Sequence, residues 1–294
     1  MRKKNKLRII LMWMLSLTLI LSVNFSVFAS NQNITQSDIK ISSLHDEEGL
    51  SLNATSLSTD SVNLHNRKNA SSLASREQEV VGEFTYHTNY LYVDGKLRYG
   101  FVIDSMIGEK PKVLTVHFTL RHGSNIKQVT ANTNLGTVTF KSSEIRKGQV
   151  KYVTTAANTM FWKLNTSFNA VMADGTSNPG ANGQITPILT NKKGQIFPQY
   201  VDPVSKKDAE STISTTWKKL AKSPTWNGRS KYIKQYEEKY GKQPSSFWSS
   251  VQIHHIRPRQ YGGALNDFNN LMPVKTESHR AITSWFRNYY GEST

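Results

Sequence analysis

The segment from residue 251 to residue 274 restricts its own folding more than any other part of this chain. Two short apolar runs, 251–256 and 271–274, have the length of β-strands. Between them lie Tyr261-Gly262-Gly263 and a polar cluster at 266–270, which are typical of turns and loops between strands. The sequence therefore predicts a β-hairpin with a wide loop.

A helix is predicted directly after this hairpin. Pro273 precedes Thr276, which suits an N-cap. The apolar residues that follow recur at helical spacing and share one face. They are Ile282, Trp285, Phe286 and Tyr289.

Three of the eight histidines of the chain lie within one stretch of 26 residues in this unit, at positions 254, 255 and 279. Adjacent residues on a strand point to opposite faces, so His254 and His255 are predicted to have different functions. His279 lies near the start of the predicted helix, where it can face the hairpin. A hydrogen-bonded structural role is the alternative for each histidine alone, whereas their concentration favours a functional site.

This stretch resembles the HNH nucleases, also called the ββα-metal group. It is most similar to the nuclease domains at the C-termini of colicin-type bacterial toxins. The resemblance covers residues 251–290 and rests on His254-His255, Asn270 and His279 at their spacings. It implies a metal-dependent endonuclease that hydrolyses phosphodiester bonds of DNA, with RNA as the alternative substrate.

The resemblance also implies a role for each matching residue. His255 would be the general base, a role that suits histidine because its ordinary pKa of about 6.5 lies near neutral pH. His254 and His279 would bind one divalent metal ion, and Asn270 would tie down the loop and keep His255 aimed. Neutral imidazoles favour Zn²⁺ or Ni²⁺, whereas a site with few protein ligands suits Mg²⁺ or Mn²⁺, so the ion stays open.

The chain departs from the family pattern around these residues. Thr283 stands where colicin-type domains have a further histidine, so only two protein ligands are visible. Gln252 replaces an acidic residue before the histidine pair, and an arginine of the pattern is missing there. Phosphate contacts are therefore predicted for four other arginines, for which a solvated face is the alternative. These are Arg257, Arg259, Arg280 and Arg287.

The N-terminus predicts export. Five Lys or Arg residues precede an apolar run at 9–23, and Val27-Phe28-Ala29 is a small-residue cleavage site. Residues 1–29 are therefore predicted to be a signal peptide. A membrane anchor is the alternative, but the apolar run is short for a transmembrane span. The predicted product is secreted and extracellular.

The charge and the cysteine content of the chain restrict the kinds of partner and of site that it can have. The formal net charge is +16, and loss of the five basic signal residues leaves 16 − 5 = +11. Residues 205–294 hold 15 Lys or Arg and 7 Asp or Glu, which favours a nucleic acid partner through counterion release. Anionic wall polymers or membrane surfaces are the alternative. The chain has no cysteine, which excludes disulfides and thiolate zinc sites and suits a Gram-positive source.

Changes in amino-acid composition divide the rest of the chain into three predicted regions. Residues 30–83 are rich in Ser, Asn and Thr and are predicted to be a disordered linker or pro-region. Residues 84–203 are predicted to be a β-rich domain, an antiparallel β-sandwich that ends in a connection at 174–203. Residues 204–294 are the predicted nuclease domain, with supporting helices from Ser205 and over 230–240, so the expected class is α+β.

Two functions of different class follow. The first is a secreted HNH endonuclease, either a toxin against competing cells with an immunity protein as partner or a scavenging nuclease. Its β domain would then bind a cell-surface ligand. The second is a cell-envelope binding protein whose β domain is functional and whose histidine cluster holds a structural metal.

Overall fold

The computed structural model describes residues 41–45, 51–67 and 78–289. Within these ranges the chain forms twelve strands and three α-helices. The strands are β1 (Ile41–His45), β2 (Ser51–Arg67), β3 (Gln78–Val93), β4 (Lys96–Gly108), β5 (Val113–Gly123), β6 (Ala131–Lys141), β7 (Val150–Ala156), β8 (Met160–Val171), β9 (Ser177–Gly183), β10 (Ile188–Thr190), β11 (Val251–His255) and β12 (Leu271–Lys275). The helices are α1 (Arg229–Tyr240), α2 (Ser245–Ser250) and α3 (Thr276–Arg287). Antiparallel sheets with few helices agree with the predicted α+β class.

Two antiparallel sheets pack face to face around the first core. One has the order β1-β2-β3-β4-β7, and the other has the order β10-β8-β5-β6 with β9 also paired to β8. Burial alternates along β5, as expected for a strand with one face in a core. Tyr86 and Phe101 of the first sheet stack at 4.4 Å, and Phe168 of the second sheet meets Tyr86 edge-on at 5.4 Å. The contact between Phe168 and Tyr86 therefore joins the two sheets.

The hairpin of β3 and β4 turns at Asp94-Gly95, a dipeptide that is typical of two-residue hairpin turns. Both residues have positive φ, 49° for Asp94 and 77° for Gly95. A two-residue turn with φ positive at both positions matches the twist of the flanking strands. The turn therefore fixes the register in which Val93 pairs with Lys96.

Residues 30–83 were predicted to be a disordered linker or pro-region, and disorder is wrong for Ile41–His45, Ser51–Arg67 and the start of β3. β2 pairs with β3 from Thr55 to Arg67, and Leu57 and Leu64 are buried in the sandwich core. Few apolar residues suffice to order this segment, because β3 provides hydrogen-bond partners for its backbone N–H and C=O groups. Residues 1–40, 46–50 and 68–77, including the predicted signal peptide, lie outside the described residues.

Two further predictions are wrong. The predicted connection at 174–203 contains β9 and β10, which extend the second sheet. The predicted helix from Ser205 does not form, and residues 205–228 are turns and irregular chain. Asp202 accepts hydrogen bonds from the backbone N–H groups of Val204 and Ser205, and such local bonds compete with a helix. The helix predicted at 230–240 is confirmed as α1.

A second core joins the sandwich to the C-terminal hairpin and helix. From the sandwich side it takes Phe161, Leu189 and Phe197, and from the C-terminal side it takes Trp285 and Phe286, among other residues. Packing therefore crosses the boundary predicted at residue 203.

No helix among the described residues has the length and apolar character that a bilayer crossing requires.

Replacing Phe197 by Ala should destabilise the protein by about 3 to 5 kcal/mol, the usual cost of deleting a buried aromatic ring. Phe197 is 1% exposed, and its ring meets Trp285 edge-on at 5.1 Å. Denaturant unfolding measures the change. Val80→Ala, at a residue 56% exposed, is the matched control and should change stability by less than about 0.5 kcal/mol. If Phe197→Ala lowers the free energy of unfolding by less than about 1 kcal/mol, the second core does not couple the sandwich to the C-terminal hairpin and helix.

Candidate functional site

The hairpin of β11 and β12 places the two adjacent histidines on opposite faces, as predicted. His254 pairs with Met272, and His255 pairs with Leu271. Met272 belongs to the core that contains α3, whereas Leu271 belongs to a third cluster built with α1 and α2. The hairpin is therefore covered on both faces, and each histidine has different neighbours.

His254 faces α3, where His279 meets it. The two imidazole rings lie 5.3 Å apart, centroid to centroid, and are nearly perpendicular at 79°. His254 is 5% exposed, and its Nε2 atom is buried without a hydrogen-bond partner. Burial, and next the proximity of His279 and His255, lower the pKa of His254 to about 3. The ring is neutral at ordinary pH.

His255 is held in one tautomer by the hairpin loop. Its Nε2 atom lies 3.1 Å from the carbonyl oxygen of Leu265, and a carbonyl only accepts, so Nε2 carries the proton and donates. Nδ1 then keeps a free lone pair. The Trp226 ring stands perpendicular to the imidazole at 5.0 Å. Burial lowers the pKa of His255, although the bond to Leu265 acts in the opposite direction.

Asn270 fastens the loop between the two strands. Its Oδ1 accepts a hydrogen bond from the Arg257 N–H at 2.8 Å. Its Nδ2 donates to the carbonyl oxygens of Arg257 at 3.2 Å and Ala264 at 2.9 Å. Gly263 lies next to these hydrogen bonds, and a Cβ at this position would be 1.8 Å from the Arg257 carbonyl oxygen. Position 263 therefore requires glycine. The side chain of Asn270 ties the loop, the geometric part of the role that the resemblance implied.

The three histidines line one open cleft of about 470 Å³. Gln252 and Thr283, the two positions that depart from the family pattern, line it as well. The remaining lining residues come from the segment before α1, the first residue of α1, β11, the hairpin loop and α3. They are Ser223, Trp226, Arg229, Ile253, Pro258, Arg259, Gln260 and Phe286.

Of the four arginines predicted to contact phosphate, only Arg259 lines the cleft. Arg257 instead donates through Nε to the Tyr261 carbonyl oxygen at 2.7 Å, and its guanidinium lies over the Trp217 ring at 5.7 Å. Arg280 and Arg287 are exposed on α3 and do not line the cleft. These three arginines therefore lie outside the cleft, because arginines close in sequence are distributed over different surfaces. Their contacts with phosphate stay a prediction.

Sequence reasoning missed Arg229 and Trp226. Arg229 is the first residue of α1, and its guanidinium donates to the Trp248 carbonyl oxygen at 2.6 Å while lining the cleft. The segment before α1 carried no motif, and only its basic and aromatic content could have drawn attention to it. Long-range folding brings it to the histidines.

Among the described residues, no group of three or more His, Cys, Asp or Glu side chains is placed to hold a metal ion. Two features of the histidines nevertheless fit a bound metal ion. The Nε2 atom of His254 is buried, partnerless and neutral, which suits a metal ligand. Two imidazoles that share a tetrahedral ion have centroids about 5 Å apart, close to the 5.3 Å separation of His254 and His279.

Asn270→Ala should reduce stability by about 1 to 2 kcal/mol, because three hydrogen bonds of the loop are lost at a partly exposed site. It should also release His255 from a fixed orientation, since Leu265 lies on the same loop. Thermal unfolding measures the first effect, and broadening of the His255 imidazole resonances in NMR spectra measures the second. Asn269→Ala, at the exposed neighbouring position, is the control. Equal stability and equal His255 resonances in the two variants would contradict the role of Asn270 in fastening the loop.

No protein-family model, curated protein or solved structure matches this chain.

Proposed function

We propose that this protein is a secreted, metal-dependent endonuclease of the ββα-metal type that cleaves DNA. The observation that carries the proposal is the arrangement of three histidines in one cleft, where burial lowers the pKa of each imidazole. His254 and His279 present imidazole rings to each other, while His255 keeps a free Nδ1. Secretion rests on the signal peptide predicted from the sequence.

His255 is the general base of the proposed reaction. Its Nδ1 accepts a proton from the attacking water, and its Nε2–H bond to Leu265 stabilises the imidazolium that forms. Burial keeps the ring unprotonated beforehand. Trp226, perpendicular to the ring, limits rotation of the imidazole and keeps Nδ1 directed into the cleft.

His254 and His279 are the proposed metal ligands. When bound, a divalent ion supplies positive charge to the phosphate and the leaving 3′ oxygen. His254 is fixed by the strand and by burial, so it holds the ion without rearrangement. Thr283 and Gln252 line the same cleft and leave space for water and substrate oxygens.

Arg259 and Arg229 are the proposed phosphate contacts. Both residues line the cleft, and each guanidinium group is oriented by a backbone carbonyl, that of Pro224 for Arg259 and that of Trp248 for Arg229. An arginine held in this way keeps further N–H donors for a phosphodiester. Their positive charge stabilises the negative charge that increases in the transition state.

His255→Ala should abolish nicking of supercoiled plasmid while leaving divalent-metal affinity nearly unchanged. His254→Ala should weaken both, because it removes a ligand. Gel assays with Mg²⁺, Mn²⁺, Zn²⁺ and Ni²⁺, together with calorimetric titration of each ion, measure the two effects. A wild-type chain that binds metal at these histidines yet cleaves neither DNA nor RNA would favour the alternative of a structural metal in an envelope-binding protein.

Thr283→His should tighten binding of Zn²⁺ or Ni²⁺ and disfavour Mg²⁺. Position 283 lies one helical turn after His279 and lines the cleft, so an imidazole there can supply a third nitrogen ligand. Isothermal titration of wild type and variant with each ion measures the shift, and Thr283→Ser is the control. Unchanged affinity for every ion would mean that position 283 does not face the metal.

A further inference from the structure

One wall of the cleft is a basic segment that lies far from the histidines in sequence. We call residues 218–226 the basic wall. It contains three exposed lysines, Lys218, Lys219 and Lys222, and ends at Trp226, which lines the cleft beside His255. The basic wall has no regular secondary structure.

The basic wall is attached to the hairpin loop at three points. The Leu220 N–H donates to the Gln260 carbonyl oxygen at 2.7 Å. Arg259 donates to the Pro224 carbonyl oxygen at 2.9 Å, and Trp226 Nε1 donates to Asn266 Oδ1 at 3.2 Å. These bonds hold the backbone that carries the three lysines beside the hairpin loop, and two residues of the same segment, Ser223 and Trp226, line the cleft.

The charge of this region is uncompensated. Residues 211–236 contain six Lys or Arg and no Asp or Glu. Where the structure describes the chain, no carboxylate forms an ion pair with any of the three lysines. Such a surface attracts a polyanion, and the phosphodiester strand that the proposed function requires is a polyanion whose charges repeat along its length.

We propose that the basic wall is the docking surface for nucleic acid on one side of the scissile phosphate. Lys218, Lys219 and Lys222 bind backbone phosphates outside the cleft, and Arg259 links this surface to the cleft interior. The inference rests on the proposed function, because it places the substrate of that site. The three lysines act by positioning and touch no reacting atom.

The test compares two triple substitutions of equal charge in the full chain. One is Lys218→Gln, Lys219→Gln and Lys222→Gln. The control is Lys110→Gln, Lys112→Gln and Lys147→Gln, at exposed positions of the sandwich. Fluorescence anisotropy with a short labelled DNA duplex, in EDTA and over a range of salt, measures binding without cleavage.

The basic-wall variant should bind duplex about tenfold or more weakly than wild type, with a log–log salt dependence shallower by about 2 to 3. The control should stay near wild type, and replacement of the same three lysines by Arg should restore binding. Hydrolysis of bis(p-nitrophenyl) phosphate, which is too small to reach the wall, should be unchanged, whereas KM for plasmid should rise with little change in kcat.

Equal affinity and salt dependence of the two Gln triples, with both variants folded by circular dichroism, would overturn the docking surface even if the chain cleaves DNA. Lysine-dependent binding by a chain that cleaves nothing with any divalent ion would leave the docking surface standing and overturn the proposed function. Reduced hydrolysis of the small diester by the basic-wall variant would place the lysines in the reaction itself and overturn their positioning role.

Discussion

The arrangement of the candidate site depends on one constraint, which is that the hairpin of β11 and β12 cannot hold itself together. A two-stranded hairpin in water is at best marginally stable. Here it is covered on one face by α3 and the sandwich and on the other by α1 and α2. Because both faces are buried, adjacent positions on β11 are held with equal precision, and His254 and His255 have fixed but different surroundings.

The loop of the hairpin is fastened from several directions. Asn270 ties its two ends by hydrogen bonds to Arg257 and Ala264. Lys207 reaches in from the irregular segment after Asp202 and donates to the carbonyl oxygens of Phe268 at 2.7 Å and Leu271 at 2.8 Å. The loop therefore presents the Leu265 carbonyl oxygen to His255 as a fixed acceptor. The orientation of the proposed base is a property of this whole assembly.

The sandwich contributes to the site by supporting α3 through packing and through hydrogen bonds, such as the one that Asn191 Nδ2 donates to the Trp285 carbonyl oxygen at 3.1 Å. Phe161 of β8 and Leu189 of β10 join the core that supports α3, and α3 carries His279 and Thr283. The irregular segment between the sandwich and α1 also has two functions. Trp217 is buried in the same core, while the residues that follow form the rim of the cleft. A β-rich part and a histidine-bearing part thus share one hydrophobic core.

Sequence reasoning reached most of the local elements and the histidine constellation. The hairpin, the helix after it, the Asp94-Gly95 turn and α1 are encoded by short-range signals, namely turn residues and apolar spacing. The strand at Ser51–Arg67 was missed because its composition is polar, and its order comes from pairing with β3. The prediction of a helix from Ser205 was wrong because turns, and not one face of a helix, bury Ala209, Ile213 and Trp217 in the second core.

By itself the sequence determined the hairpin-helix unit and the positions of His254, His255 and His279 within it, because these depend on spacings of a few residues along β11 and α3. Only the tertiary structure decided which charged groups meet those histidines. Arg259 lines the cleft and Arg257 does not, although they are two residues apart, and Arg229 arrives from another helix. The physical reason is that the periodicity of a strand or helix depends on residues close together in the sequence. Which loop, helix start and basic segment meet at the cleft depends instead on which apolar surfaces the whole chain buries against one another.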